Sequence, residues 1–163
     1  MTDRLSALLW LWLGAAVLFV VVVAPAAFAV LPTRALAGLV VGRVLPALFW
    51  SGAVTGVVFA VTRSGWRRGA ALILIVATLS AQLGVTPRIQ KLRVEVGSDI
   101  EAVDRADPRR VQFGRLHALS VALLGVGMFG AAALAIASLR STRAEEASGR
   151  LSHIENHDLS SGG

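Results

Sequence analysis

Between Leu5 and Arg140 the chain holds four long apolar stretches. Each runs about 18 residues or more, the length a helix needs to cross a hydrocarbon core of about 30 Å. Val17-Leu18-Phe19-Val20-Val21-Val22-Val23 and Ala70-Ala71-Leu72-Ile73-Leu74-Ile75-Val76 leave no polar face. A soluble helical protein would alternate polar and apolar sides along each helix. With 163 residues, 55% hydrophobic and 16% charged, one compact membrane domain uses nearly the whole length. The expected fold is all-α: an integral membrane four-helix bundle with spans at about 5–30, 35–61, 69–87 and 111–139. An amphipathic helix over about 88–105 extends span three, and a polar disordered tail fills 141–163.

Span one starts with Trp10 and Trp12, indoles suited to the membrane interface, and Pro25 predicts a bend near its far end. Its basic start, apolar run and Ala27-Phe28-Ala29 imitate a cleavable signal. The run exceeds the usual h-region of about 7 to 15 residues and reads as a retained span. Leu31 to Arg34 forms a tight turn. Span two carries Gly38 and Gly42, then Gly52 and Gly56, two Gly-x-x-x-Gly pairs on either side of a kink-forming Pro46. Small residues four apart let helix backbones approach closely in lipid, within the bundle or in a dimer.

The second loop is expected over Thr62 to Arg68. Beyond Pro87, Ile89, Leu92, Val96, Ile100 and Val103 recur at helical spacing among charged residues. That helix either carries span three out of the bilayer or lies along its surface. Asp107-Pro108 reads as an N-cap followed by proline at the first helical position. Span four adds Gly127 and Ala131 as another small pair.

The net charge of +6 comes from Lys/Arg clusters at span ends, which orient the spans and touch lipid head groups. Nothing in the pattern indicates nucleic acid. There is no cysteine, hence no disulfide and no thiolate chemistry. Gly-rich phosphate loops, Ser-His-acid sets and Cys/His metal boxes are also absent, so no residues are candidates for acyl or phosphoryl transfer, and no catalytic residue is assigned.

The candidate polar cluster is Arg43, Arg88, His117 and Ser120, all expected at the side opposite the termini. His117 lies about two turns into span four, on one face with Phe113 and Ser120. Ionisable groups at membrane depth suggest function. Its imidazole is a weak metal candidate and the one possible haem ligand, against the plainer reading of a neutral, hydrogen-bonded or water-reaching side chain. Arg43, about two turns into span two, either snorkels to the interface or holds an anionic group. No span contains an acidic partner for it. Arg88, Lys91 and Arg93 read as surface cations on lipid phosphates, or as an anion-recognition group. Gln82 is expected to hydrogen-bond across helices. His153 and His157 in the tail support at most adventitious metal binding.

The chain resembles the transmembrane protein 205-like family of small four-helix membrane proteins. The resemblance rests on Pro25-x-x-Phe28, Leu36-Ala37-Gly38 through Gly42, Leu45-Pro46, Phe49, Pro87, Asp107-Pro108 and Phe113-x-x-x-His117-x-x-Ser120. It covers about residues 10 to 135. Thr86 and Leu124 stand where that family often has asparagine, which reduces any polar site built from those amides. The resemblance implies a four-span protein with no established enzymatic activity. A more distant similarity to copper-resistance D-like proteins, some of whose relatives bind haem, would touch His117 alone.

The reading that follows is a non-enzymatic membrane protein, multi-pass in the cell (inner) membrane, acting in transport, resistance or scaffolding. It expects no cofactor; its partners are the lipid bilayer and, as a further option, a second copy of itself or another membrane protein. The alternative is a haem- or metal-binding redox component using His117. Basic residues are spread over both sides, so orientation rests on the long polar tail, which needs no export if the termini are cytoplasmic.

Overall fold

The computed structural model describes the backbone of residues 2–96, 103–104 and 106–161, and the side chains of 5–96, 103–104, 106–140 and Arg150. The described residues are helical apart from short connections. Helix α1 (Thr2–Leu18) passes through a π-helical turn (Phe19–Val23) into α2 (Ala24–Val30). Helix α3 spans Arg34–Thr62. Helix α4 (Trp66–Leu79) passes through a second π-helical segment (Ser80–Val85) into α5 (Thr86–Val96), and α6 runs Pro108–Ser161. Four stretches are long and apolar enough to cross a membrane: Leu5–Val30, Arg34–Thr62, Trp66–Val96 and Pro108–Arg140. This is a multi-pass membrane protein.

The two π-helical segments explain how span one and span three pass their prolines without ending. Pro25 and Pro87 each follow two residues behind such a segment. A proline cannot donate to the carbonyl four residues back, and its ring presses on it. Wider winding just ahead relieves that clash. Thr86 adds a side-chain bond, its Oγ1 donating to the Ala81 carbonyl at 3.0 Å. Pro46 sits inside α3, which continues through it.

The spans form a four-membered ring in which span one packs on spans two and four, and span three also packs on both. Its core is the side-chain set Leu9, Trp12, Ala16, Phe19, Leu48, Phe49, Phe59, Ala71, Leu74, Leu124, Ala131 and Leu134. Glycines set the closest approach. A Cβ on Gly56 would lie 2.6 Å from Ile75 Cγ1 and 3.2 Å from the Ala71 carbonyl oxygen, and one on Gly130 would lie 3.2 Å from the Ala70 carbonyl oxygen. Span three is thus clamped between backbone contacts to spans two and four. Gly52 serves the same purpose by admitting the Trp12 ring and Thr78, each 2.8 to 2.9 Å from where its Cβ would be.

Several expectations change. Trp12 is not at the interface: it is 4% exposed, and its Nε1–H donates to the Leu48 carbonyl at 2.9 Å, while Trp10 faces outward. A buried indole needs an acceptor for its N–H, and the carbonyl row of α3 supplies one. The second loop is shorter than expected, three residues between Thr62 and Trp66, because Gly65 turns the chain at φ +62. Gln82 makes no bond across helices; its Oε1 is buried with no partner among the described residues.

The helix after Pro87 extends span three rather than lying flat. Its apolar stripe, Ile89, Leu92 and Val96, packs with Val85, Leu116, Phe113 and Leu123 in a second, smaller core. The described helix ends at Val96, and Val103 and Asp104 are not helical; 97–102 and Arg105, where the stripe was expected to continue, lie outside the described residues. Asp107 caps α6 as expected: its Oδ1 accepts the Arg109 backbone N–H at 2.8 Å, with Pro108 first in the helix. Beyond Arg140 the helical backbone of α6 is described to Ser161.

Candidate functional site

Antiparallel packing brings the ends of spans one and three and the starts of spans two and four to one side, opposite the termini. Among the described residues that side carries eight basic residues (Arg34, Arg43, Arg88, Lys91, Arg93, Arg109, Arg110, Arg115) and three acids (Glu95, Asp104, Asp107). Two of those acids are already engaged. Asp107 holds Arg109 through both carboxylate oxygens, at 2.7 and 3.1 Å, and Glu95 lies 3.8 Å from Lys91 one helical turn away. The Arg109 side chain, then its backbone N–H, holds the Asp107 carboxyl down to about 2. Arg110 Nη1 donates to the Val103 carbonyl at 2.6 Å, tying the connector to the start of α6.

The residues marked by sequence do not converge on one cavity. Arg43, Arg88 and His117 are each exposed on the outside of the bundle, and of the four Ser120 alone is buried, at 6%. On α3, Arg43 follows Gly42 by one residue, a rotation of about 100° that takes it off the seam-facing side. His117 stacks beside Phe113, ring centroids 6.4 Å apart and planes 5° from parallel. Among the described residues no group of three or more His, Cys, Asp or Glu is placed to hold a metal.

The inward cation is one that sequence reasoning assigned to the surface. Arg93 is half-buried, and its Nη2 donates to the Gly38 carbonyl at 3.1 Å. Its Cζ stands 5.6 Å from the centroid of the Phe113 ring. One guanidinium therefore touches α3 and α6 from α5. Gly38 and Gly42 make this possible: a Cβ on Gly38 would be 2.9 Å from Arg93 Nη2, and one on Gly42 would be 3.4 Å from Nη1. The first Gly-x-x-x-Gly pair is accordingly a groove for an arginine, while the second is the helix-packing pair. The signal for Arg93 was present in its spacing. It lies four residues after Ile89 and three before Val96, about 40° from the apolar stripe and away from Arg88, Lys91 and Glu95.

Chemically, the arrangement is a charge-bearing donor fork held at a membrane boundary by a carbonyl and an aromatic face. Among the described residues no carboxylate pairs with it. Such a group recognises anions.

No curated protein and no solved structure matches the chain. A family model described as a domain of unknown function, DUF4149, matches residues 7–98. The match takes in Trp12, Gly38, Gly42, Leu48 and Arg93 and stops before Phe113 and His117. Covering more than half of the sequence, it shows that the chain belongs to the DUF4149 family.

Proposed function

We propose a non-enzymatic membrane protein whose side opposite the termini binds anionic head groups or small anions, in a transport, resistance or scaffolding role. The observation that carries this reading is the surplus of cations there, eight bases against three acids among the described residues, with Arg43, Arg88 and Arg93 making no ion pair among them. Basic pockets between spans at the head-group level recognise anionic lipids in this way. The resemblance to the transmembrane protein 205-like family agrees with a four-span protein without enzymatic activity. In this reading it lies in the cell membrane with cytoplasmic termini, which keeps the polar tail on the side of synthesis.

The test is lipid selection. The protein is purified from membranes mixing phosphatidylcholine and phosphatidylglycerol, and the lipid that stays with it is measured by native mass spectrometry. Retained lipid should be enriched in the anionic species over the bulk. A retained fraction equal to bulk overturns the reading.

A further inference from the structure

We propose that Arg93, with the Gly38–Gly42 groove behind it and Phe113 across its plane, is a phosphate-ester site at the boundary of the bilayer. This rests on the anion-binding reading above and narrows it to one guanidinium.

A guanidinium carries five N–H donors in a fixed fork. Gly38 takes one of them, leaving four that no described residue accepts. The bond to Gly38 positions the group rather than satisfying it, since a backbone carbonyl is neutral and already serves its own helix. The described acids of that side have other partners: Glu95 meets Lys91, Asp107 holds Arg109, and Asp104 Oδ1 accepts the Ala106 N–H at 2.7 Å. A charge partly withdrawn from water without a counter-ion calls for one. An anionic phosphate oxygen forms charge-assisted bonds roughly twice as strong as those to neutral acceptors, and the fork takes two oxygens at once.

The glycines give the site its rigidity. With no Cβ at 38 or 42, the guanidinium lies directly on the α3 backbone, and Phe113 holds its plane from the opposite helix. Preorganisation of this kind removes part of the ordering cost that a flexible surface arginine meets on binding an ion. Arg88 and Arg43, exposed and held by no described partner, supply general attraction but no comparable frame.

The test compares wild type, Arg93→Gln and Arg93→Lys in phosphatidylcholine nanodiscs containing a minority of phosphatidylglycerol, with Arg68→Gln on the terminal side as the control. Retained phosphatidylglycerol is counted by native mass spectrometry, and folding is checked by helical circular dichroism and elution. Both Arg93 variants should retain about tenfold less than wild type, because lysine keeps the charge and loses the fork. Arg68→Gln should match wild type. Millimolar inorganic phosphate distinguishes the source of the anion. Displacement of the lipid identifies a site open to any phosphate, and no displacement identifies one that takes the lipid-borne ester. Should Arg93→Gln fail to fold, Arg93→Lys carries the comparison. A folded Arg93 variant that keeps wild-type retention overturns the site while leaving the broader reading intact. Wild type with no preference for phosphatidylglycerol overturns the broader reading itself.

Discussion

Arg93 Nη2 donates to the carbonyl oxygen of Gly38, a residue fifty-five positions earlier, and in doing so joins the end of span three to the start of span two. The same guanidinium faces the Phe113 ring at the start of span four. Three of the four spans therefore meet at one side chain, on the side where cations outnumber acids. The fold places this arginine by ordinary means: a continuous helix through Pro87, an apolar stripe that docks on α6, and two glycines that leave room.

The two glycine pairs of α3 should respond differently to the same change. At Gly38 an added methyl meets the end of the Arg93 side chain, at 2.9 Å, and that end can move away. The loss is then about one hydrogen bond, of order 1 kcal/mol. At Gly56 it meets Ile75 Cγ1 at 2.6 Å, with the Ala71 and Ile75 backbones at 3.2 and 3.3 Å. Helix backbones cannot yield locally, and overpacking costs about 1 to 3 kcal/mol. Unfolding in detergent should rank Gly56→Ala as less stable than Gly38→Ala; the reverse order would contradict the groove assigned to the first pair.

Trp12 is the central indole of the bundle, and its two properties separate by substitution. Trp12→Phe keeps most of the ring and removes the N–H that Leu48 accepts, costing about 0.5 to 1.5 kcal/mol. The Leu48 carbonyl retains the Ser51 hydroxyl at 3.0 Å, which places the loss at the lower end of that range. Trp12→Ala opens a cavity between spans and costs about 3 to 5 kcal/mol. Trp10→Ala, on the lipid-facing side of the same helix, should leave the melting temperature nearly unchanged. Equal effects at the two tryptophans would remove Trp12 from the core.

How much of this was legible in the sequence follows from where polar contrast exists. Span positions were readable because long apolar runs have one use, and the Asp107 cap because Asp-Pro before a helix has few others. Trp12 was misplaced for a physical reason. In a helix apolar on all sides, the inward set Leu9, Trp12, Ala16 and Phe19 has no polar opposite to reveal it. Nearness to the helix start then suggested the interface. Arg93 was misplaced by grouping it with Arg88 and Lys91 in sequence rather than by angle. The pairing of Arg93 with Gly38 depends on the rotation of two distant helices, which no local pattern encodes.

The Asp107–Arg109 pair predicts a pH dependence with a definite sign. Arg109 donates to the Asp107 carboxylate from its side chain and from its backbone N–H, and holds the carboxyl at about 2 against an ordinary value of 3.8. The folded state therefore binds its proton less readily than the unfolded chain. The contribution is fully present above about pH 4 and disappears as pH falls through about 2. Relative to the intrinsic amide rate at each pH, hydrogen exchange in the first turn of α6 should stay constant above that window and rise within it. Asp107→Asn keeps a side-chain oxygen for the Arg109 N–H, since asparagine caps helices as well as aspartate does, but it cannot titrate. Its first turn should therefore exchange at nearly the wild-type rate near neutral pH and lose the acid-dependent rise. Every other acidic residue is the same in both proteins, so the difference between the two profiles isolates Asp107. Superimposable profiles would show that the cap does not depend on its charge.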